Sequence, residues 1–171
     1  MSSSIRDRGT IGVLMGGLSR FQAAYLKQIY RNGGKDYFDI VNIHPFTDPL
    51  LPNAMEGYRG TYRAVYKAME KYSDTNKPIW FTEIGCPGLA SSESVGWWSG
   101  KSPDEEGQAK WVMKVYQEGL KWPGVQRIFW AFFRDTSGHF GNDVDHFGLI
   151  RNDFSEKPSY AAYQKIAKKE S

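Results

Sequence analysis

The sequence has little cysteine and little histidine, and this scarcity excludes several kinds of site. Cysteine occurs once, at Cys86, so an internal disulfide framework and a metal cluster built on cysteine ligands are excluded. Histidine occurs three times, and two of the three lie in a cluster whose spacing matches no standard metal-ligand pattern. We therefore expect no metal site and no cofactor. The cluster consists of His139, Asp143, Asp145 and His146.

Long apolar runs and an excess of one charge are also missing. No window approaches the roughly 20 apolar residues of a membrane-spanning helix, and the first ten residues contain no apolar segment of the kind found in signal peptides. We expect no membrane partner and no signal peptide, and the compartment stays open. The 22 basic and 19 acidic residues give a net charge of only +3. Because no basic run alternates with aromatic residues, we expect no nucleic acid partner.

Four short runs rich in β-forming residues recur along the chain, each followed by a loop and a helical pattern. Since the runs are almost continuously apolar, they predict parallel strands covered on both faces. Amphipathic helices separate them, and the third helix is predicted to begin with Ser102 as its N-cap and Pro103 at its first position. The predicted strands are residues 10–15, 38–43, 78–82 and 125–133.

The predicted order, βαβαβαβα, is typical of an α/β fold with a parallel sheet and right-handed crossovers. It fits an open doubly wound sheet, and it equally fits four consecutive βα units, half of a TIM (β/α)8 barrel that needs about 250 residues when complete. The loops after strands three and four, residues 84–102 and 134–156, are long, whereas the loops leading into strands are short. Long loops at the carboxyl ends of strands favour an enzyme scaffold.

Residues able to bind or transform a sugar lie where the predicted strands end. Sugar recognition needs aromatic rings for stacking and histidine or carboxylate groups for hydrogen bonds to hydroxyls. Aromatic residues make up 15% of the chain, more than one core of this size needs, so some are expected to line a cleft. The candidates are His44 and Phe46 after strand two, Glu83 at the end of strand three, and Trp130 and Asp135 in and after strand four.

Each candidate also has a purely structural interpretation. Glu83 ends an apolar run, where a buried carboxylate is costly unless it is paired or used in chemistry; backbone N–H groups or an arginine could satisfy it. His44 could be a satisfied polar residue before a proline turn, and Trp130 could belong to the core. Trp97 and Trp98, in a loop rich in glycine and serine, could form a sugar platform or cover the barrel mouth.

Four segments, taken together, resemble the second half of retaining (β/α)8 glycoside hydrolases of the cellulase and β-xylosidase clan, with families 5 and 39 nearest. They are "DIVNIHPF", "KPIWFTEIG", "RIFWAFFRD" and "HFGLIRNDFSEKPSYAAYQ". The resemblance implies that Glu83 is the catalytic nucleophile, that His44 and Phe46 lie beside it, and that Trp130 floors the sugar site. It further implies an oligosaccharide, polysaccharide or β-glycoside substrate. Residues 10–171 are then expected to form one half-barrel domain, and residues 1–9 a flexible N-terminus or a cloning remnant.

The sequence departs from that clan in one chemically serious way. The clan's general acid/base is the glutamate of an Asn-Glu pair, and no Asn-Glu pair occurs in the 171 residues. Retaining hydrolysis needs a second carboxyl group about 5 Å from the nucleophile. Glu93, Glu105 and Asp135 are possible rim carboxylates, but the spacing assigns none of them this role. Phe46 also stands where the clan often has a tyrosine that hydrogen-bonds the nucleophile.

Three functional hypotheses follow. The first is a glycoside hydrolase half that carries the nucleophile but hydrolyses weakly unless a homodimer mate or a complementary half-barrel chain completes it. The exposed inner face and unpaired strand edges of a half-barrel favour such association. The second is a non-catalytic carbohydrate-binding or assembly module derived from such a barrel. The third is an unrelated open-sheet α/β protein.

Overall fold

The computed structural model describes residues 12–17, 22–89 and 101–168. Within these residues, three strands form one sheet in the order β1-β2-β3, with both neighbouring pairs parallel. The strands are β1 (Val41–Ile43), β2 (Ile79–Ile84) and β3 (Val125–Trp130). The α-helices are α1 (Gln22–Arg31), α2 (Ala54–Lys71), α3 (Glu105–Gly119) and α4 (Pro158–Ala167), and short 3-10 helices span Gly34–Tyr37 and Asp143–His146.

The predicted α/β class with parallel strands is confirmed, and the arrangement is consistent with part of a βα barrel. The first predicted strand, however, is reduced in the described residues to one parallel bridge between Leu14 and Ile40. The backbone N–H of Met15 donates to the carbonyl of Ile40 at 2.9 Å. Beside it, the N–H of Val13 donates to the carboxylate of Asp39 at 2.8 Å. Because this side chain takes a donor that a strand ladder would use, the regular pairing stops there.

The ends of β2 and β3 also differ from the prediction. β2 continues to Ile84, so Glu83 lies inside the strand. Phe81 pairs with Ile128 and Ile84 pairs with Trp130, so β2 has one residue more than β3 between these two pairs. This irregularity is a β-bulge. β3 ends at Trp130 instead of residue 133. The reason is Phe132, whose φ of 69° is the left-handed conformation and is incompatible with a strand.

The start of α3 differs from the predicted capping box. The N-cap is Asp104, whose carboxylate accepts a hydrogen bond from the N–H of Gly107 at 2.7 Å. The hydroxyl of Ser102 donates instead to the buried carboxylate of Asp143, at 2.5 Å. Ser102 is thereby held by the loop after β3, and the helix begins two residues later than predicted, where the next side chain able to cap is available.

The core lies between the sheet and its helices. Tyr58 of α2 is fully buried, and its ring meets those of Phe81 and Trp122 at 5.9 and 4.7 Å between centroids. The strand residues that are fully buried in this core are Val41, Ile43, Ile79, Phe81 and Ile84.

Within the described residues, no helix is long and apolar enough to cross a membrane.

The opposite face of the sheet is more open. Side chains alternate across a strand, so the neighbours of the core residues point to the side that faces the interior in a closed barrel. Trp80 lies there against Phe129, with ring centroids 6.0 Å apart. Phe129 and Leu14 remain 43% and 38% exposed. This set of side chains (Leu14, Trp80 and Phe129) is called the inner face below.

One buried amide links the long loops to the helices. Gln108 of α3 is fully buried, and its side-chain NH₂ lies 3.0 Å from the carbonyl of Cys86 and 3.3 Å from each carbonyl of residues 146–148. Its oxygen accepts a hydrogen bond from the hydroxyl of Ser159 at 2.8 Å. Loop carbonyls have no ladder partners, so a side chain must satisfy them when they are buried.

Replacing this amide should destabilise the protein. In Gln108→Leu the carbonyls of Cys86 and Gly148 lose this donor, and each unsatisfied buried group costs about 1–3 kcal/mol. We expect urea unfolding to show a loss of at least about 2 kcal/mol. Gln117→Leu makes the same change on the exposed side of the same helix and should have little effect. Equal stability of the two variants would contradict this role of Gln108.

Candidate active site

The parallel pairing of β1 and β2 brings His44 and Glu83 together at the carboxyl rim of the sheet. Ile43 pairs with Phe81, so His44 lies beside Thr82, and Glu83 is the next residue of β2. The Nδ1 atom of His44 lies 3.4 Å from Oε2 of Glu83, and their side chains are 14% and 54% exposed. The carboxylate is therefore not buried, and the side chain beside it is a histidine instead of an arginine.

A chain of hydrogen bonds holds the other side of the imidazole. Nε2 of His44 lies 2.9 Å from the hydroxyl oxygen of Thr82. That hydroxyl donates to Oδ1 of Asn42 at 2.8 Å, and Asn42 is itself buried. Sequence reasoning missed both Thr82 and Asn42, because only the register between the two strands shows that they touch.

The backbone at Gly17 packs directly on the same ring. A Cβ atom at this position would lie 2.2 Å from Nε2 of His44 and 2.4 Å from Cε1, closer than real Cβ contacts allow. From α1, the amide of Gln22 donates to the carbonyl of His44 at 2.9 Å. The backbone of Gly17 and the carbonyl contact of Gln22 thus hold the histidine in place.

Aromatic rings extend from His44 along the rim. Phe46 meets His44 edge-on at 6.4 Å between centroids, and Phe147 at 6.3 Å. Phe132 lies 6.4 Å from Phe147 and 5.3 Å from Phe140. Phe132 and Phe140 are 41% and 42% exposed. Phe132, Phe140 and Phe147 were not identified as site residues from the sequence, because phenylalanines in loops have no periodicity.

The tryptophans expected at the site fall into two groups. Trp130 is partly buried against the core, and its indole N–H donates to the carbonyl of Phe147 at 2.8 Å. Its Cα pairs with that of Ile84, so it lies at the rim next to the end of β2. Its role as the floor of a sugar site stays a prediction. Trp97 and Trp98 lie outside the described residues.

Asp135 is buried in an ion pair with Lys157. Nζ of Lys157, which is 2% exposed, lies 2.8 and 2.7 Å from its two carboxylate oxygens, and the N–H of Gly148 donates to one of them at 2.8 Å. Burial raises the pKa of Asp135 and lowers the pKa of Lys157, against the attraction between them. Both oxygens are already occupied, so we leave Asp135 out of the proposed sugar site.

Other rim carboxylates are also occupied. Glu105 pairs with Arg151 through both of its oxygens. Asp145 accepts from the hydroxyl of Thr136 and from loop N–H groups, and these hydrogen bonds lower its pKa to about 2. Glu93 lies outside the described residues. Among the described residues, no group of three or more His, Cys, Asp or Glu side chains is arranged to hold a metal ion.

Several solved structures with a similar fold are glycoside hydrolases. No family model matches the chain, and no curated protein matches it. A GH2 β-galacturonidase from Eisenbergiella tayi bound to galacturonate aligns with 90% of this chain at 16% identity and a TM-score of 0.63. A family 39 glycoside hydrolase from Bacteroides cellulosilyticus WH2 aligns with 85% at 23% identity and 0.62. A β-glucuronidase from Ruminococcus gnavus aligns with 77% at 19% identity and 0.55.

The alignments cover only part of those proteins. The chain spans 26%, 30% and 22% of the three neighbours. At this level of identity the likeness shows a glycoside hydrolase-like fold, without assigning the chain to family 5 or 39. It favours the barrel over the open doubly wound sheet.

The contact between Gly17 and the imidazole of His44 can be tested with a variant of Gly17, and a variant of Gly16 serves as the control. In Gly17→Ala the new methyl group must displace His44 from its position between Thr82 and Glu83. Gly16→Ala meets no atom within 4 Å. We expect NMR signals of the His44 ring to shift strongly in the first variant and hardly in the second. Equal shifts would contradict the packing described here.

Proposed function

We propose that this chain provides the nucleophile half of a β-glycoside-processing site, with Glu83 as the nucleophile. The observation that supports this most directly is a half-exposed carboxylate at the carboxyl rim of a parallel sheet, 3.4 Å from His44. In (β/α)8 enzymes the catalytic groups lie at this rim. The similarity in fold to glycoside hydrolases and the exposed rings along the rim agree with a carbohydrate substrate.

The exposure of Glu83 suits a nucleophile. A retaining nucleophile must be ionised and must reach the anomeric carbon of the sugar. Glu83 is 54% exposed on its side chain, whereas Asp135 is 8% exposed and paired with Lys157. Among these two carboxylates at the rim, only Glu83 is thus free to approach a bound sugar.

The second catalytic group is not assigned to this chain. General acid catalysis typically contributes a factor of roughly 10² to 10⁴, and a sugar leaving group needs that proton. Glu105 and Asp135 are held in ion pairs with Arg151 and Lys157. We therefore propose that the acid/base comes from another chain or segment that completes the barrel, and that the chain alone turns over ordinary β-glycosides slowly or not at all.

A substrate that needs no acid tests the nucleophile directly. With dinitrophenyl fluorosugar glycosides, an oxygen of Glu83 bonds to the anomeric carbon, and dinitrophenolate leaves with the electron pair of the broken C–O bond. We expect intact-mass spectrometry to show one added fluorosugar per chain, with peptide mapping at Glu83. The panel should include glucosides, xylosides, galactosides, glucuronides and galacturonides.

Two variants serve as controls for this labelling. Glu83→Gln should abolish it, while Glu70→Gln, an exposed glutamate at the far end of α2, should leave it unchanged. Labelling that survives in Glu83→Gln would refute the proposed nucleophile. Binding of the panel sugars without any labelling of the wild-type chain would instead support the non-catalytic carbohydrate-binding module.

The inner face supports the proposal of a partner. Phe129 and Leu14 are exposed on a sheet surface that is covered in a complete barrel. Within the described residues, β3 pairs only with β2, which leaves its other edge open. The proposed occupant is a second copy of this chain or a complementary half-barrel chain.

Association should be visible by size-exclusion chromatography with light scattering. The chain has a mass of 19.5 kDa, and we expect a larger particle whose mass falls on dilution. Phe129→Glu places a charge on the inner face and should shift the particle towards the monomer. Phe154→Glu, at a loop residue that is 69% exposed, should not. A monomer at every concentration would argue against self-association.

A further inference from the structure

The hydrogen-bond chain behind His44 has a defined direction. The backbone N–H of Thr82 lies 3.3 Å from Oδ1 of Asn42. Since a backbone N–H can only donate, the side-chain atom of Asn42 that faces Thr82 must be its oxygen, which can only accept. The hydroxyl of Thr82 lies 2.8 Å from the same oxygen. Its hydrogen must therefore point to Asn42, because otherwise two lone pairs would face each other at this distance.

The direction of this bond fixes the tautomer of His44. With its hydrogen directed to Asn42, the oxygen of Thr82 offers a lone pair to Nε2 of His44, 2.9 Å away. Nε2 must then carry a hydrogen and donate it. The neutral ring has one N–H, so Nδ1 is the nitrogen whose lone pair is left, and Nδ1 is the atom that faces Glu83 at 3.4 Å.

We propose that Thr82, oriented by Asn42, is a positioning residue that holds His44 in its Nε2–H form and directs Nδ1 at Glu83. With Nε2 already a donor, Nδ1 is the ring atom that can take up a further proton, and from there it would be donated to Oε2 of Glu83. One oxygen of Glu83 is engaged by the histidine, and Oε1 is left outside this contact. The functional consequence rests on the proposed role of Glu83 as nucleophile, whereas the tautomer itself does not.

Among the contacts described, no other polar group competes with Thr82 and Glu83 for the two ring nitrogens of His44. Gly17 presents backbone to one side, Phe46 meets the ring at its edge, and Gln22 binds the main-chain carbonyl of His44 instead of the ring. Glu83 is the charged group that the structure places against it. Thr82 and Glu83 are adjacent in the sequence, so the strand that carries the proposed nucleophile also carries the group that orients its partner.

Long-range ¹H–¹⁵N NMR of the uniformly labelled full chain tests the tautomer without any sugar. The chain has three histidines, and the signals lost in His44→Gln identify the ring. We expect the neutral wild-type ring to show the pattern of a protonated Nε2 and an unprotonated Nδ1. A neutral ring protonated on Nδ1, or a mixture of both tautomers, would overturn the proposal, and this result requires no variant of Thr82 to fold.

Variants separate positioning from simple packing. Thr82→Val keeps the shape and removes the hydroxyl, so the single-tautomer pattern should become a mixture, whereas Thr82→Ser should restore it. Fluorosugar labelling of Glu83 should slow about tenfold in the valine variant, the value of one hydrogen bond, and less than about twofold in the serine variant. An unchanged tautomer in Thr82→Val would overturn the inference even if Glu83 is labelled. A wild-type chain with the expected tautomer but no labelling would refute the proposed function alone.

Discussion

The register between β1 and β2 is the constraint on which the candidate site depends. Parallel strands end at the same edge, and the pairing of Ile43 with Phe81 places the next residue of each strand side by side. A slip of one residue would turn His44 to the other face of the sheet and break its contacts with Thr82 and Glu83. The apolar side chains that bury the opposite face therefore fix the polar geometry at the rim as well.

Long loops that contain no strands are held in place at the same rim by hydrogen bonds from polar side chains. Loop carbonyls and N–H groups that are buried need partners, and here a few polar side chains supply them. Gln108 donates to the loops that follow β2 and β3, Lys157 reaches the carbonyls of Gly88 and His146, and Asp145 accepts from its own loop. Because Gln108 and Lys157 link segments distant in sequence and Asp145 joins residues of its own loop, the loops keep a defined shape around the site.

The order of elements and the rim position of Glu83 were predictable, because apolar runs and strand ends are local features. The start of α3 was not, since Ser102 and Asp104 both suit an N-cap and the choice was made by Asp143, some forty residues away. The first strand was overestimated because Asp39 intercepts its hydrogen bonds. No sequence motif marks Thr82 as a residue that contacts the site. Its contact with Asn42 depends on the pairing of two strands, which a single sequence does not contain.

The charges at the rim also explain why one carboxylate differs from the rest. In retaining hydrolysis the two carboxyl groups have opposite tasks, since one must stay ionised to attack and the other must hold a proton to give. In the proposed function Glu83 takes the first task, because its carboxylate is half-exposed to solvent and lies 3.4 Å from His44. Asp135 and Glu105 are instead held in ion pairs with Lys157 and Arg151. If Glu83 is the nucleophile, as proposed, this rim supplies the attacking group, and the proposed partner that completes the barrel must supply the proton.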